Sequence, residues 1–301
     1  MSHARPHDAE PRVVVDPTTG RPILLAPQRQ QRPMQTGPQA TAHACPFCPG
    51  HEHETPPEID AERGPDGWLA RAFANKYPAI TQHEVIAEGA LHQEHPGELD
   101  LTTVRRCLVL WRRRLAAIEA VPGITCAFLF KNVGAAAGAS IAHNHSQILG
   151  LESLPPRLLL ELQQARALPE CPWCAAMRTA EADGRLIAAT THHLVLVPEP
   201  PKLPHETWLL PRRCDDDFLT SDLDSLTTAM FALFQAVDRG LGRPALNLWL
   251  HRVPQGGLHW HFELQPRTGQ MAGLELGGDM YINSVPATAA AAQLRRGLST
   301  R

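Results

Sequence analysis

A chain of 301 residues, 43% hydrophobic and 20% charged, is long enough for a large core or for two ordinary domains and has the balance of a globular protein. Its formal charge of −3 gives no electrostatic ground for a nucleic-acid or membrane-surface partner. No apolar leader opens the sequence and no apolar run reaches the ~18 residues of a membrane span, so a cytoplasmic protein is expected.

In chain order, residues 1–44 read as a strand pair turning at Asp16-Pro17-Thr18-Thr19-Gly20, then a polar, mobile stretch around 28–42. Cys45-Pro46-Phe47-Cys48 follows. A strand-like run at 83–87 precedes a helix at about 101–120, whose Arg112, Arg113 and Arg114 read as its wet face. A glycine- and alanine-rich loop, 133–140, leads into a strand at 141–149. On it, period-two alternation puts His143, His145 and Gln147 on one side. A short helix at about 156–166 ends this half.

The same parts then return in the same order. Cys171-Pro172-Trp173-Cys174 is followed by a strand at 193–197, a helix at about 221–239, and His259-Trp260-His261 on a strand at 257–265. Cysteine pair and H-x-H motif lie 98 residues apart in the first half and 88 in the second. Two such matches imply duplication of one α+β unit, with a junction near 165–170 and domains at 1–166 and 167–301.

Four of the 7 cysteines form the two C-x-x-C pairs, a pattern that favours metal over structural disulfides in a cytosolic protein. Two imidazoles and an amide on one strand suit phosphoryl or nucleotidyl transfer through a covalent histidine, because neutral imidazole is nucleophilic near pH 7. Gly134 and Gly138 would let backbone N–H groups approach an anion, and Gln147 and Ser140 can donate to it. From the residues alone, a plain metal site or a histidine-rich surface strand stays open.

The segment from Asn132 to Gln147 resembles the active-site segment of the galactose-1-phosphate uridylyltransferase family, within the histidine-triad superfamily. So do Asp16 to Arg21, Ala26-Pro27, Arg32-Pro33, Cys45 to Gly50, Thr55 to Glu58, Asn75 to Pro78, Gly273 to Leu276 and Tyr281-Ile282-Asn283. The resemblance implies a duplicated histidine-triad-like α+β fold, two antiparallel-sheet units each with packed helices. It implies that His145 attacks the α-phosphate of a nucleotide sugar, releasing hexose 1-phosphate, and that a second sugar phosphate takes the nucleotidyl group. Gln147 would support the phosphate, Ser140, Gly138 and Asn132 would line the phosphate and base region, and Asn75 would lie near the nucleoside.

The resemblance also implies two structural zinc sites. Cys45, Cys48 and His143 would be joined by His92, with His95, His43, His51 and His53 as rivals. Cys171, Cys174 and His259 would be joined by Cys214, where related sequences carry histidine, with His205, His192 and His193 as rivals. A carboxylate, Glu263, stands where the first half has Gln147, and would repel a phosphate, so the second H-x-H reads as a degenerate copy. Residues near the C-terminus read the sugar in that family, some across a homodimer interface, which points to Glu275 and Tyr281. Tyr281-Ile282-Asn283 looks more like the ADP-glucose phosphorylase branch, so uridylyl transfer and adenylyl transfer both stay open. A non-enzymatic, zinc-stapled nucleotide-binding module is the alternative from another class. A zinc deaminase is disfavoured, because no His-x-Glu precedes the cysteines at suitable spacing.

Overall fold

The backbone is organised by a ten-stranded antiparallel sheet and a separate two-stranded hairpin. The computed structural model describes residues 10–32, 34 and 45–299, so His43, Pro33 and most of the polar stretch at 28–42 lie outside the described residues. The hairpin pairs β1 (Arg12–Val15) with β2 (Pro22–Leu25). Its turn forms because Asp16 accepts from the Thr18 and Thr19 hydroxyls while Gly20 takes a φ of 70°.

Strands β3 (Glu58–Gly64), β4 (Gly67–Ala74) and β5 (His83–Glu88) make a meander, and α1 (Leu101–Glu119) carries the chain to β6 (Cys126–Val133) and β7 (His145–Leu151). The last strand inserts between the third and fourth, giving the order β3-β4-β5-β7-β6. After α2 (Pro156–Ala167) and α3 (Pro172–Asp183), the plan repeats with β8 (Leu186–Ala189), β9 (His193–Leu196), β10 (Thr207–Pro211), α4 (Leu223–Leu241), β11 (Leu246–His251) and β12 (His261–Pro266). The order from the far edge is β8-β9-β10-β12-β11, the same insertion. The two fourth strands, β6 and β11, pair antiparallel through Asn247↔Asn132 and Leu248↔Lys131, which joins the halves into one sheet. Short α5 (Gly273–Gly278) and then α6 (Ala287–Ser299) complete the chain.

The two long helices form for the same local reasons. Asp100 and Asp222 cap them by accepting from the backbone N–H of Thr103 and Ser225. Each carries an apolar stripe: Val104, Leu108, Trp111, Leu115 and Ile118 on α1 are all buried, and each leucine so buried contributes about 1.5–3 kcal/mol. Both stripes pack into one core on one face of the sheet, with α6 against α4. The arginine run of α1 is not a solvated face: Arg113 pairs with Asp60 and Glu62, Arg114 grips Glu84 with two bonds, and Arg112 donates to the Ser221 carbonyl.

Alternation along β7 then decides what faces the other way. Ser146 and Ile148 turn toward α1, where Trp111 Nε1 donates to Ser146 Oγ at 2.8 Å. His145 and Gln147 therefore project from the opposite face. Along β12, Phe262 and Leu264 join the same core, leaving His261 and Glu263 opposite. Both strands begin later than the expected 141 and 257, at His145 and His261, so His143 and His259 sit in the approach to each strand rather than on it.

Candidate functional site

The tight turn at Cys45–Cys48, closed by Cys48 N–H donating to Cys45 O, brings two thiols toward β7. The donor atoms of Cys45, Cys48, His92 and His143 lie within 4.8 Å of one another. His143 Nδ1 is 3.6 Å from each sulfur, and His92 Nδ1 is 3.3 Å from Cys48. The other nitrogen of His143, Nε2, donates to the Gly89 carbonyl at 2.9 Å, which turns Nδ1 toward the thiols. Of the rivals, His51 pairs with Glu54 and stacks on His53, and His95 Nδ1 faces Asp238 at 3.9 Å.

The second half repeats this arrangement. Cys171, Cys174, Cys214 and His259 also gather within 4.8 Å. His259 Nε2 donates to the Pro211 carbonyl at 2.8 Å, leaving Nδ1 3.5 Å from Cys171. His193 is occupied by Ser221 and Ser225, and His205 bonds Gln293. Both donor sets fit zinc: four sulfur and imidazole groups at a common point, with His143 and His259 each oriented from behind. Burial pushes the Cys45 thiol up to about 12, and a coordinated dication is what would hold such a group as a thiolate.

Beside the first cluster is a cavity of about 200 Å³, lined among others by His145, Gln147, Ser140, Gly138, Asn75 and Phe47. His145 is buried, and its Nδ1 donates to the His143 carbonyl at 2.7 Å. A carbonyl only accepts, so the proton is on Nδ1 and Nε2 keeps its lone pair on the cavity side. Burial pushes this imidazole down to about 4, with the Lys131 and Arg32 charges acting the same way. Phe47 meets its ring edge-on at 5.3 Å. Behind the strand, Lys131 pairs with Glu88, both fully buried, and also donates to the His145 carbonyl at 3.2 Å.

The loop before β7 is held by backbone geometry. Gly134 has a φ of 77° and an added Cβ would lie 2.8 Å from Ala245 Cβ, while Gly138 has a φ of 82° over open space. Asn132 does not line the cavity. Its Oδ1 accepts from Asn247 Nδ2, which also donates to the Ala137 carbonyl, so it anchors the loop from below. Glu275 and Tyr281 are likewise not at the cavity: Glu275 caps α5, and the Tyr281 hydroxyl donates to Asp279.

Sequence reasoning passed over four cavity neighbours. Arg29 and Arg32 reach in from the N-terminal segment, Arg29 also donating to the Tyr77 carbonyl. Phe47 is the variable position inside C-x-x-C. His83 opens β5 and contacts Gln147 at 2.9 Å; only its place at the head of a strand-like run hinted at it. A third group, Glu161, His251, His261 and Glu263, also brings its donor atoms within 4.8 Å. There Glu263 is engaged by Lys202 at 2.8 Å and Arg157 at 3.3 Å, and His261 lies fully buried with Trp173 and Trp208 rings 5.1 and 5.5 Å away. Among the described residues, no helix is long and apolar enough to cross a membrane.

Residues 29–154 match the family described as "Domain of unknown function (DUF4931) N-terminal domain". An ADP-glucose phosphorylase of Arabidopsis thaliana is 27% identical over 319 residues, covering 91% of this chain and 90% of its own. A galactose-1-phosphate uridylyltransferase of Streptomyces lividans is 26% identical over 287 residues, covering 85% of this chain and 77% of its own. The crystal structure of an Arabidopsis thaliana ADP-glucose phosphorylase with bound ADP-glucose superposes with a TM-score of 0.75, at 26% identity, over 95% of this chain and 98% of that one. The duplicated histidine-triad-like fold expected from the sequence is thus the fold observed, and the chain is a homologue of both named enzymes.

Proposed function

We propose that this homologue of the galactose-1-phosphate uridylyltransferases and ADP-glucose phosphorylases is a nucleotidyltransferase that works through a nucleotidyl-histidine on His145. The observation that carries the reading is one nitrogen of a buried imidazole tied to the His143 carbonyl, while the other is left available beside a cavity with Gln147, Ser140 and two arginines. Nε2 attacks the α-phosphorus of a nucleotide sugar; a P–N bond forms, the bond to the bridging oxygen breaks, and hexose 1-phosphate leaves. A phosphate oxygen of the acceptor then attacks the same phosphorus, breaking the P–N bond and restoring neutral imidazole. Gln147 and Ser140 donate to the phosphoryl oxygens, and Arg29 and Arg32 offset the charge that develops there. Gly138 lets the loop approach the phosphates, with Asn132 as its anchor, and Asn75 borders the nucleoside.

Cys45, Cys48, His92 and His143 would hold one zinc, and Cys171, Cys174, Cys214 and His259 a second. Closed sets of four supply rigidity rather than chemistry, and the first grips the residue whose carbonyl orients His145. Reduced thiolate sites fit a reducing compartment, the cytoplasm. The halves 1–166 and 167–301 then divide into a catalytic unit and a degenerate copy, in which Lys202 and Arg157 neutralise Glu263. Exposed Val13, Val15, Leu276, Met280 and Ile282 favour a homodimer; Glu275 and Tyr281 can read a sugar at this cavity only if a partner delivers them.

Uridylyl transfer to a hexose 1-phosphate is the first reading. Adenylyl transfer, including phosphorolysis of an ADP-sugar, is the second, favoured by the span over which the Arabidopsis relative aligns. The test is isotope exchange. With UDP-glucose or ADP-glucose and labelled glucose 1-phosphate as the only other reactant, label should enter the nucleotide sugar, and His145→Ala should stop it. Exchange that persists in His145→Ala refutes the covalent route.

A further inference from the structure

A phosphate-facing amide helps a phosphoryl group only if its NH2, not its carbonyl, faces the anion. The hydrogen bonds behind Gln147 decide which end does. Ala79 donates its backbone N–H to His83 Nδ1 at 2.9 Å, so Nδ1 is an acceptor and the ring proton sits on Nε2. Nε2 lies 2.9 Å from Gln147 Oε1. Asn75 is fixed in turn, since its Oδ1 accepts from the Tyr77 backbone and its Nδ2 points to the same Gln147 oxygen at 3.4 Å. The 3.1 Å approach of Asn75 Nδ2 to His83 Nε2 is therefore a meeting of two donors that share one acceptor.

We infer that His83 is a positioning residue for nucleotidyl transfer: with Asn75 it holds Gln147 Oε1 away from the cavity and presents the Gln147 NH2 to the transferring phosphoryl group. The inference rests on the nucleotidyl-histidine reading and adds to it a reason for the glutamine's orientation. His83 is 3% exposed, and burial pushes its imidazole down to about 4, so the neutral tautomer is the form present near pH 7. It opens β5, next to β7 in the sheet, where the pair His83↔Leu149 sets the register. A protonated or reversed ring could not accept from Ala79, and a reversed Gln147 would set its NH2 against two donors and its oxygen against an anion. Each device removes one wrong orientation.

The test uses the whole 301-residue chain and reads rate, affinity and tautomer separately. His83→Phe keeps the ring volume but loses the Nε2 donor. It should lower the saturated exchange rate roughly 10- to 100-fold while the KM for nucleotide sugar shifts less than about threefold, the signature of an interaction felt mainly in the transition state. His83→Gln, whose amide nitrogen can take the place of Nε2, should recover most of that loss. His83→Phe combined with Gln147→Ala should be no slower than Gln147→Ala alone, since His83 acts only through Gln147. Additive losses in the double variant, or no recovery in His83→Gln, overturn the inference. Should His83→Phe not fold, imidazole 15N shifts of the wild type decide the matter. An Nε2–H tautomer supports the inference and an Nδ1–H tautomer overturns it, with no turnover required. A wild type that shows the Nε2–H tautomer yet catalyses no exchange leaves the orientation standing and refutes the functional reading instead.

Discussion

Replacing Lys131 by Met removes the cation from the most buried ion pair behind the active-site strand. Lys131 and Glu88 are each 1% exposed, and Trp111 Nε1 shares its proton between Glu88 and Ser146. Without the ammonium, the Glu88 carboxylate keeps a single indole N–H in a dry core. Breaking a buried pair from one side costs about 3–5 kcal/mol, and at about 2–4 °C per kcal/mol the melting temperature should drop on the order of 10 °C. Lys131 also holds the His145 carbonyl, so the exchange rate should fall along with stability. Glu88→Gln added to Lys131→Met removes the stranded charge and keeps an acceptor for Trp111; it should regain most of the lost stability but not the contact to His145 O. Calorimetry and exchange assays on the wild type and these two variants separate the two effects. A Lys131→Met protein that melts within about 2 °C of wild type would show that the pair is not the isolated buried charge described here.

Three further outcomes follow from the same geometry. Gly134→Ala should destabilise more than Gly138→Ala, because both demand a positive φ, costing about 1–2 kcal/mol, but only the first meets Ala245 at 2.8 Å; equal melting shifts would contradict this. Metal analysis should return close to two zinc per chain, and Cys214→Ser should lose one while keeping exchange activity, whereas Cys45→Ser should lose the other and the activity with it. Glu263→Gln should not create transfer activity in His145→Ala, because His261 has no exposed surface and lies against two indole rings; detectable exchange in that double variant would mean the second half is not degenerate.

What the sequence made legible was whatever repeats or alternates. The long helices, the hairpin turn and the strands near 83 and 193 follow from local spacing, and all lie close to the expected residues. The paired order of motifs also carried over into the mirrored strand order of the sheet. Contacts between distant segments were not legible. Nothing local says that Arg113 reaches across to Asp60 rather than to water, or that His83, 64 positions before Gln147, orients its amide. The strand starts were misjudged because His143 and His259 are turned by backbone carbonyls, of Gly89 and Pro211, that belong to other segments. The bond between Asn132 and Asn247 was not legible either, because Asn247 sits in the other half of the chain.

Nucleotidyl transfer by this route requires a covalent bond to one nitrogen of one residue. Incubating the protein with ADP-glucose and separately with UDP-glucose, then digesting it under mildly alkaline conditions and mapping peptide masses, tests it most directly. One added nucleoside monophosphate is expected on the peptide containing His145, lost on adding glucose 1-phosphate and never formed in His145→Ala. An unmodified His145 peptide with both nucleotide sugars, or an adduct elsewhere that supports turnover, would contradict it.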